Sequence, residues 1–401
     1  QQLIDKLPPL AMLCIAIGLS LSHSLISIGV GGLLIACLIH PTFRHQLRES
    51  FPKWRWLYFP LLGLYFLHAI SWFYTSDRVQ WLVEMRIKLP MLFLLPTTIV
   101  TWITLSEREK KLIHLVFQVG LLVVGIGTLV RFLTNFSWGL EEIRQGRYIP
   151  MVGGISHIYY AALVGSGFFF LWALPPFASL WWRWVVGGIH FLVLHTLALR
   201  TGLAAGYVTA FLLLILWSLR KASRWIWTIL IIVAFGIGLF SLIKCFPPMK
   251  RRWYSLLEDL ATYKPGGYIT HSSVARRLAA LEASWKVFWK APLWGVGIAD
   301  NQAAVFAEID KLPYRWDKET YILPHSQFVE YALGFGIIGL GIFLIFWAKA
   351  LRERLGLVWG GWLIYWFFLM QIEAFLERQV GLTSFLWGTG ILWAQLTQRK
   401  L

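Results

Sequence analysis

The chain has 401 residues, of which 58% are hydrophobic and only 14% are charged. A soluble domain of ordinary composition carries about 25% charged residues, so these values exclude a soluble globular protein and predict a polytopic membrane protein. The net charge of +17 suits partners that bear phosphate, although anionic lipid headgroups alone would account for much of it.

Apolar runs long enough to cross about 30 Å of hydrocarbon recur along the whole sequence. They predict an all-α polytopic membrane protein with about twelve transmembrane helices. The predicted limits are 7–23, 25–39, 56–74, 89–104, 112–133, 156–173, 184–199, 201–219, 225–243, 326–348, 356–372 and 381–397. The first run lacks the basic residues and the cleavage site of a signal peptide and is expected to remain as a helix. The 24 tryptophans mostly flank these runs, which is typical of anchors at the membrane interface.

Lysine and arginine residues in the short loops predict the orientation of the chain. With both termini in the cytoplasm, the cytoplasmic loops carry about twice as many of these residues as the short loops on the opposite side. The chain then divides into a bundle of about nine helices (1–243), a long segment outside the cytoplasmic membrane (244–325) and a bundle of three helices (326–401). Function is expected near the long segment, because connections of this length rarely lack a role.

The long segment contains a predicted amphipathic helix over residues 273–290. Ser272 and Ser273 are candidate N-caps, and Pro292 follows the end. Apolar residues recur at helical spacing and form one stripe: Val274, Leu278, Leu281, Trp285 and Phe288. Such a helix is expected to lie on the membrane surface or to pack against the bundle. Arg277 borders the stripe and is expected to face protein or lipid, whereas Arg276 is expected to point to water.

Three ionisable residues fall on one face of the membrane under this orientation: Arg200, Arg277 and His325. Arg200 lies in a tight turn between two apolar runs, where it either reaches headgroup phosphates or binds the phosphate oxygens of a ligand. His325 is either a solvated residue at the start of a helix or a general base.

The residues around His325 favour a positioned side chain. Pro324 fixes the chain that enters the next predicted helix, and Ser326 or Gln327 is placed to orient the imidazole. The glycines that follow, Gly334, Gly336 and Gly339, predict a bend or close packing of this helix.

Three segments together carry a resemblance to a known family. RTGLAAG, RLAALEASWKVFWKAPLWGVG and PHSQFVEYALGFGIIGL occur in this order between about residues 195 and 345. The ordered set resembles the O-antigen ligase/polymerase superfamily of bacterial envelope glycosyltransferases, whereas the first half of the chain matches only in hydropathy. Family members often carry Asn directly after the histidine and Glu shortly before the glycine pair. Ser326 and Glu330 stand near those positions here, so no role is carried over to them.

The resemblance implies a GT-C-like membrane glycosyltransferase, and the interpretation it favours is an O-antigen ligase of lipopolysaccharide biosynthesis. Such an enzyme transfers O-antigen from undecaprenyl diphosphate to lipid A-core at the periplasmic face of the bacterial inner membrane. Arg200 and Arg277, with Arg276 as a further candidate, would bind the donor diphosphate. His325 would accept the proton of the attacking hydroxyl or merely orient that hydroxyl.

Metal ions and cofactors are not expected to take part. Two close carboxylate pairs occur in the long segment, Glu258/Asp259 and Glu308/Asp310, and the second lies among charged residues that indicate a solvated surface. Catalysis by arginines without a metal is therefore expected.

Other charged and titratable residues have plainer explanations. Five histidines are expected to be packed and hydrogen-bonded: His68, His114, His157, His190 and His195. Arg144 and Arg147 would help to bind phosphates or pair with the neighbouring Glu141 and Glu142.

Several alternatives remain open at this point. An O-antigen polymerase and a protein O-oligosaccharyltransferase use the same donor class and differ only in the acceptor. A transporter of lipid-linked glycans is a further alternative, but transporters tend to carry broken or charged positions near the membrane midplane in repeated halves. Here the charges cluster at the ends of the apolar runs. Membrane lipids are expected partners, and nucleic acid is not.

Overall fold

The computed structural model describes residues 2–144, 148–174, 179–197, 199–219, 225–245 and 247–399. Over these residues the chain forms seventeen α-helices, and a single isolated β-bridge joins Tyr268 to Arg315. The helices are α1 (Gln2–Leu21), α2 (His23–Ile39), α3 (Pro41–Ile70), α4 (Arg78–Lys88), α5 (Leu94–Thr104), α6 (Glu107–Thr134), α7 (Phe136–Arg144), α8 (His157–Ala173), α9 (Leu180–Thr196), α10 (Arg200–Ser218), α11 (Trp225–Cys245), α12 (Pro247–Thr262), α13 (Ser273–Lys290), α14 (Asn301–Ile309), α15 (Gln327–Arg352), α16 (Leu357–Ile372) and α17 (Gln379–Gln398). Arg147 and the side chain of Arg144 lie outside the described part.

The chain is a helical membrane protein that crosses the bilayer several times. Five helical stretches are long and apolar enough to span it: Pro41–Phe73, Arg78–Thr104, Glu107–Thr134, Arg200–Ser218 and Gln327–Arg352. Four shorter apolar helices accompany them: His23–Ile39, His157–Ala173, Trp225–Gly238 and Leu357–Ile372. Each predicted apolar run overlaps a helix, while the total of twelve spans and the GT-C-like relation stay predictions.

Two of the predicted boundaries were wrong. Helix α3 begins at Pro41, well before the predicted start at residue 56, so a cluster of basic residues lies in the helix rather than in a loop. The predicted span 89–104 is interrupted, because residues Leu89–Leu92 form a 3-10 turn before α5 begins at Leu94. Pro90, which has no N–H to donate, stands in this turn and prevents a continuous helix.

A minority of the tryptophans stabilise the centre of the bundle. Six are fully buried: Trp54, Trp102, Trp359, Trp362, Trp366 and Trp387. Five of their indole N–H groups donate to partners inside the protein, whereas that of Trp366 has none among the described residues. Trp102 donates to Gln395 Oε1 at 2.9 Å and Trp362 to Thr389 Oγ1 at 3.1 Å.

The long segment between α11 and α15 has its own small core. Alanines on one face of α13, among them Ala275, Ala279 and Ala283, are buried against α14 residues such as Val305 and Ile309. Small side chains let the two helices approach closely. The predicted apolar stripe of α13 is therefore not its buried face, because the alanines take that position and the larger residues are left towards a groove.

The same segment is fastened to the bundle at α4. Asp300 accepts hydrogen bonds from the N–H and Oγ of Ser76 at 2.8 and 2.7 Å, from the Asp77 N–H at 3.1 Å and from Thr75 Oγ1 at 3.1 Å. Burial acts to raise the pKa of Asp300, but these donors outweigh it and hold the pKa below its usual value. The ionised carboxylate therefore joins the long segment to the turn that precedes α4.

Helix α15 is broken at Gly336, where φ is 63° and ψ is −155°. The loop that follows α13 fills the break and satisfies the freed backbone groups, as a polar backbone in a membrane requires. Three backbone hydrogen bonds join the loop to α15, from Val296 to Leu333 (2.8 Å), from Gly297 to Gly334 (3.1 Å) and from Ile337 to Pro292 (2.8 Å). The glycines thus produce the predicted bend and a close approach, since a Cβ at Gly336 would lie 2.3 Å from the Leu293 backbone.

Candidate active site

Arg200 is held at the first position of α10 by the small residues that follow it. Gly202 and Ala205 are buried against α8, and a Cβ at Gly202 would lie only 2.8 Å from the Cβ of Ala161. The RTGLAAG segment therefore packs through its glycine and alanine, which leaves the exposed Arg200 on the opposite face at the end of the helix. Cations are not favoured at a helix N-terminus, so an anion beside Arg200 would gain from both the guanidinium and the dipole.

Arg277 and Arg276 point in different directions from α13. The Asp259 carboxylate accepts from the Val274 N–H at 2.8 Å and so caps the helix, whereas the Ser272 side chain makes no capping bond. Arg277 is exposed. Arg276 is half-buried, and its Nη1 donates to the Thr320 carbonyl at 3.4 Å.

The expected orientation of Arg276, towards water, was therefore wrong. Arg276 faces protein because α13 buries its alanine face against α14, and Arg277 lies on the open side. Burial lowers the pKa of the Arg276 guanidinium. Arg276 is not among the described residues that line the cavity below, so its role in binding a donor stays a prediction.

Arg200 and Arg277 line one cavity of about 280 Å³. Arg200 belongs to α10 and Arg277 to α13. The other lining residues are Tyr148, Ile149, His157, Ile158, Leu197, Leu199, Thr201, Ala204, Ser273, Val274 and Ile372. Two guanidinium groups in a mainly apolar cavity form a site for an anion with several oxygens.

His325 lies next to this cavity and is held by a carboxylate. Its Nδ1 is 2.9 Å from Oε2 of Glu373, and the two side chains are 29% and 17% exposed. An ionised carboxylate only accepts, so Nδ1 donates to it, and in the neutral imidazole Nε2 then presents a lone pair. His325 is not among the described residues that line the cavity, but Ile372, which precedes Glu373, is.

The expected partners of the His325 ring were wrong. Ser326 is the N-cap residue of α15, and Gln327 binds the turn that carries Glu373. The Gln327 amide donates to Glu377 at 2.6 Å and accepts from the Leu376 N–H at 2.7 Å. Lys88 is fully buried and donates to the same carboxylate at 2.6 Å and to the Leu376 carbonyl at 2.8 Å. This network holds the turn after α16 against the start of α15.

Glu373, His157 and Tyr148 belong to the site and were not predicted from the sequence. His157 is the first residue of α8, lies within electrostatic range of Arg200 and Glu373, and stacks on Tyr148 with ring centroids 4.1 Å apart. The available signal was their position at the ends of apolar runs on the same predicted face as Arg200. Glu373 gave the same weak signal, as a carboxylate at the end of the eleventh run.

Four of the five histidines that were expected to be packed and hydrogen-bonded are so: His68, His114, His190 and His195. His190 Nε2 lies 3.0 Å from the Gln118 amide oxygen, and His68 Nδ1 lies 2.8 Å from the Leu64 carbonyl. His195 bonds to Phe191 and to Tyr207.

Both carboxylates of the Glu308/Asp310 pair are bound by lysines. Glu308 is buried, not solvated as expected, because Lys290 and Lys311 cover it. Asp310 accepts from Lys318 and from Tyr321. Among the described residues, no cluster of His, Cys, Asp and Glu has the arrangement of a metal site.

The arrangement combines two functions that group transfer from a diphosphate ester needs. The arginines present guanidinium N–H donors to an anion, and the carboxylate-bound imidazole presents a proton acceptor at the edge of the same site. Charge can therefore develop on a leaving group on one side while a hydroxyl loses its proton on the other.

Residues 197–344 match the model of the family described as O-antigen ligase. The matched residues include Arg200, Arg277 and His325, and they end before Glu373. No curated protein matches the chain.

Proposed function

We propose that the chain is an O-antigen ligase, because residues 197–344 match the model of the O-antigen ligase family. It transfers O-antigen from undecaprenyl diphosphate to a hydroxyl of lipid A-core at the periplasmic face of the bacterial inner membrane, with both termini in the cytoplasm. The observation that carries the proposal is the cavity lined by Arg200 and Arg277 beside the His325–Glu373 pair.

In the proposed reaction, an acceptor hydroxyl attacks the anomeric carbon of the donor sugar. A new carbon–oxygen bond to the acceptor forms, and the bond between the anomeric carbon and the diphosphate oxygen breaks. The hydroxyl proton passes to Nε2 of His325. The electron pair of the broken bond remains on undecaprenyl diphosphate, whose added negative charge Arg200 and Arg277 stabilise.

Glu373 serves this reaction by acting on His325. It holds the ring with Nε2 directed outwards, and its negative charge stabilises the imidazolium that forms when the proton arrives. Neither step uses a metal ion, because the arginines neutralise the leaving group.

The membrane arrangement supports a lipid-linked donor. Both arginines lie at the ends of helices rather than at their centres, where a diphosphate at the bilayer surface would meet them. A donor already activated as a lipid diphosphate requires no nucleotide, and its hydrocarbon remains in the bilayer.

The decisive experiment is transfer by the purified protein in the presence of a chelator. The substrates are undecaprenyl-diphosphate-linked O-antigen with and without lipid A-core, and the products are separated by size. Glycan on lipid A-core supports the ligase. Longer lipid-linked chains with untouched lipid A-core would indicate a polymerase, and glycan on protein an O-oligosaccharyltransferase.

Single substitutions test the assignment of residues. Arg200→Ala and Arg277→Ala are each expected to lower turnover by about a hundredfold or more, as removal of a transition-state donor does, and to leave a monodisperse protein. Arg315→Ala, which alters an exposed arginine of the same segment, is the matched control. Near-normal turnover of either cavity variant would remove that arginine from the site.

A further inference from the structure

An apolar groove of about 560 Å³ runs between α13 and α15. Leu278, Leu281, Trp285 and Phe288 line one wall, and Phe328 and Leu340 lie on the other. Leu281 is 48% exposed and Trp285 is 60% exposed, so large apolar surfaces remain uncovered in the groove. Contiguous exposed apolar surfaces of this kind mark binding sites.

The groove continues the cavity along the same face of α13. At 100° per residue, Leu281, Ser284 and Phe288 lie within about 40° of the direction of Arg277 around the helix axis. Phe288 is about 16 Å further along the axis at 1.5 Å per residue. One helix face therefore carries the guanidinium near its N-terminal end and apolar side chains over the following turns.

The polar groups at the groove are satisfied within the protein. Ser284 Oγ donates to the Ala280 carbonyl at 2.6 Å. Glu282 at the rim pairs with Lys286 at 3.0 Å and accepts from Tyr263 and Tyr314, each at 3.0 Å. The groove is thus suited to hydrocarbon rather than to a sugar, which would need free donors and acceptors.

The far end of the groove opens on a helix that crosses the membrane. Leu340 lies four residues beyond the break at Gly336, in the half of α15 that continues into the apolar span. A hydrocarbon chain that starts at Arg277 and follows the groove therefore leads towards the membrane-spanning half of α15.

We propose that this groove holds the isoprenoid units of the donor that lie next to the diphosphate. The inference rests on the proposed function. In the donor, hydrocarbon is joined directly to the diphosphate, so a head at Arg277 places the tail on the following apolar turns. In the acceptor, an oligosaccharide separates the acyl chains from the reacting hydroxyl. Its acyl chains would therefore not lie in a groove that begins at the anion site.

The test uses donors with one glycan and one diphosphate but different prenyl chains, either full-length or two isoprene units long. For the native protein, KM for the long-chain donor is expected to be about tenfold lower or more, the value that burial of a few methylene groups supplies. Trp285→Ala and Leu281→Ser are expected to bring the two KM values within about threefold.

The matched control is Trp289→Ala. Trp289 is as exposed as Trp285, at 60%, stands on the same helix and does not line the groove. It is expected to keep the native dependence on chain length. Groove variants whose KM keeps the full dependence on prenyl-chain length would overturn the inference. Groove variants that raise only the KM for lipid A-core would also overturn it, because the groove would then bind acyl chains of the acceptor.

A second measurement separates this inference from the proposed function. Undecaprenyl diphosphate with a photoreactive group on the isoprene unit nearest the phosphates carries no sugar and requires no turnover. Crosslinks to α13 or α15 that disappear in Trp285→Ala and persist in Trp289→Ala support the groove even if no transfer occurs. Crosslinks confined to other helices would overturn the groove and leave the glycosyltransferase proposal intact.

Discussion

Replacement of Glu373 by glutamine isolates the charge on His325 from its orientation. The amide oxygen of glutamine can still accept from Nδ1 across the 2.9 Å separation, so the ring keeps its direction while the negative charge is lost. A hydrogen bond to a charged group contributes about 1.5–3 kcal/mol, and both side chains are sufficiently buried to limit screening. With about 1.4 kcal/mol per tenfold change in rate, kcat is expected to fall roughly 10- to 100-fold.

The assay is single-turnover and steady-state transfer with saturating donor and acceptor. KM for the donor is expected to stay within about twofold, because the interaction acts on the proton transfer and not on diphosphate binding. Glu319→Gln, a change at an exposed carboxylate of the long segment, is the control and is expected to keep native kcat.

A double-mutant cycle supplies the refutation. If Glu373 acts only through His325, adding Glu373→Gln to a His325→Asn protein lowers kcat no further. A native kcat for Glu373→Gln alone, in a folded and monodisperse protein, would refute the assigned role. An equal loss in both backgrounds would show that Glu373 acts elsewhere.

Three further outcomes are expected. Gly336→Ala should lower the melting temperature strongly or abolish folding, because the φ of Gly336 is positive and the new Cβ would lie 2.3 Å from backbone atoms. The control is Gly341→Ala, which has open space around it and should be neutral or slightly stabilising. Asp300→Asn should lower the free energy of unfolding by about 1–2 kcal/mol at pH 7. Because the pKa of Asp300 is lowered in the folded state, this difference is present above the usual aspartate pKa and should vanish as the pH falls through the folded value. Thermal unfolding in detergent at several pH values measures it. Arg276→Ala should lower the melting temperature more than Arg277→Ala and lower kcat less, and the reverse order would place Arg276 at the donor.

The sequence predicted the helices well and their interruptions poorly. Apolar runs report where a helix is compatible with the bilayer, and each predicted run overlaps one. Such runs do not report which face of a helix is buried. On α13 the large residues made the obvious stripe, but Ala275 and Ala279 formed the buried face, because small side chains permit the closest approach of α14.

The site was predictable as far as local pattern extends. Arg200 and Arg277 were identified from short segments, and the structure places both on one cavity. Glu373 was not, because it lies 48 residues beyond His325 and only tertiary packing of α16 against the start of α15 joins them. The orientation of Arg276 was missed for the same reason, since it depends on what covers the opposite face of its helix.

The pairing of His325 with Glu373 has a consequence for how such proteins can diverge or be recombined. The matched residues 197–344 contain the imidazole, while its carboxylate partner lies downstream and His157 lies upstream. A chimera that exchanges only the matched residues would leave the histidine facing a foreign turn, with no assurance of a carboxylate at 2.9 Å. The unit that must be inherited intact is therefore the start of α13 together with the ends of α8, α10, α15 and α16.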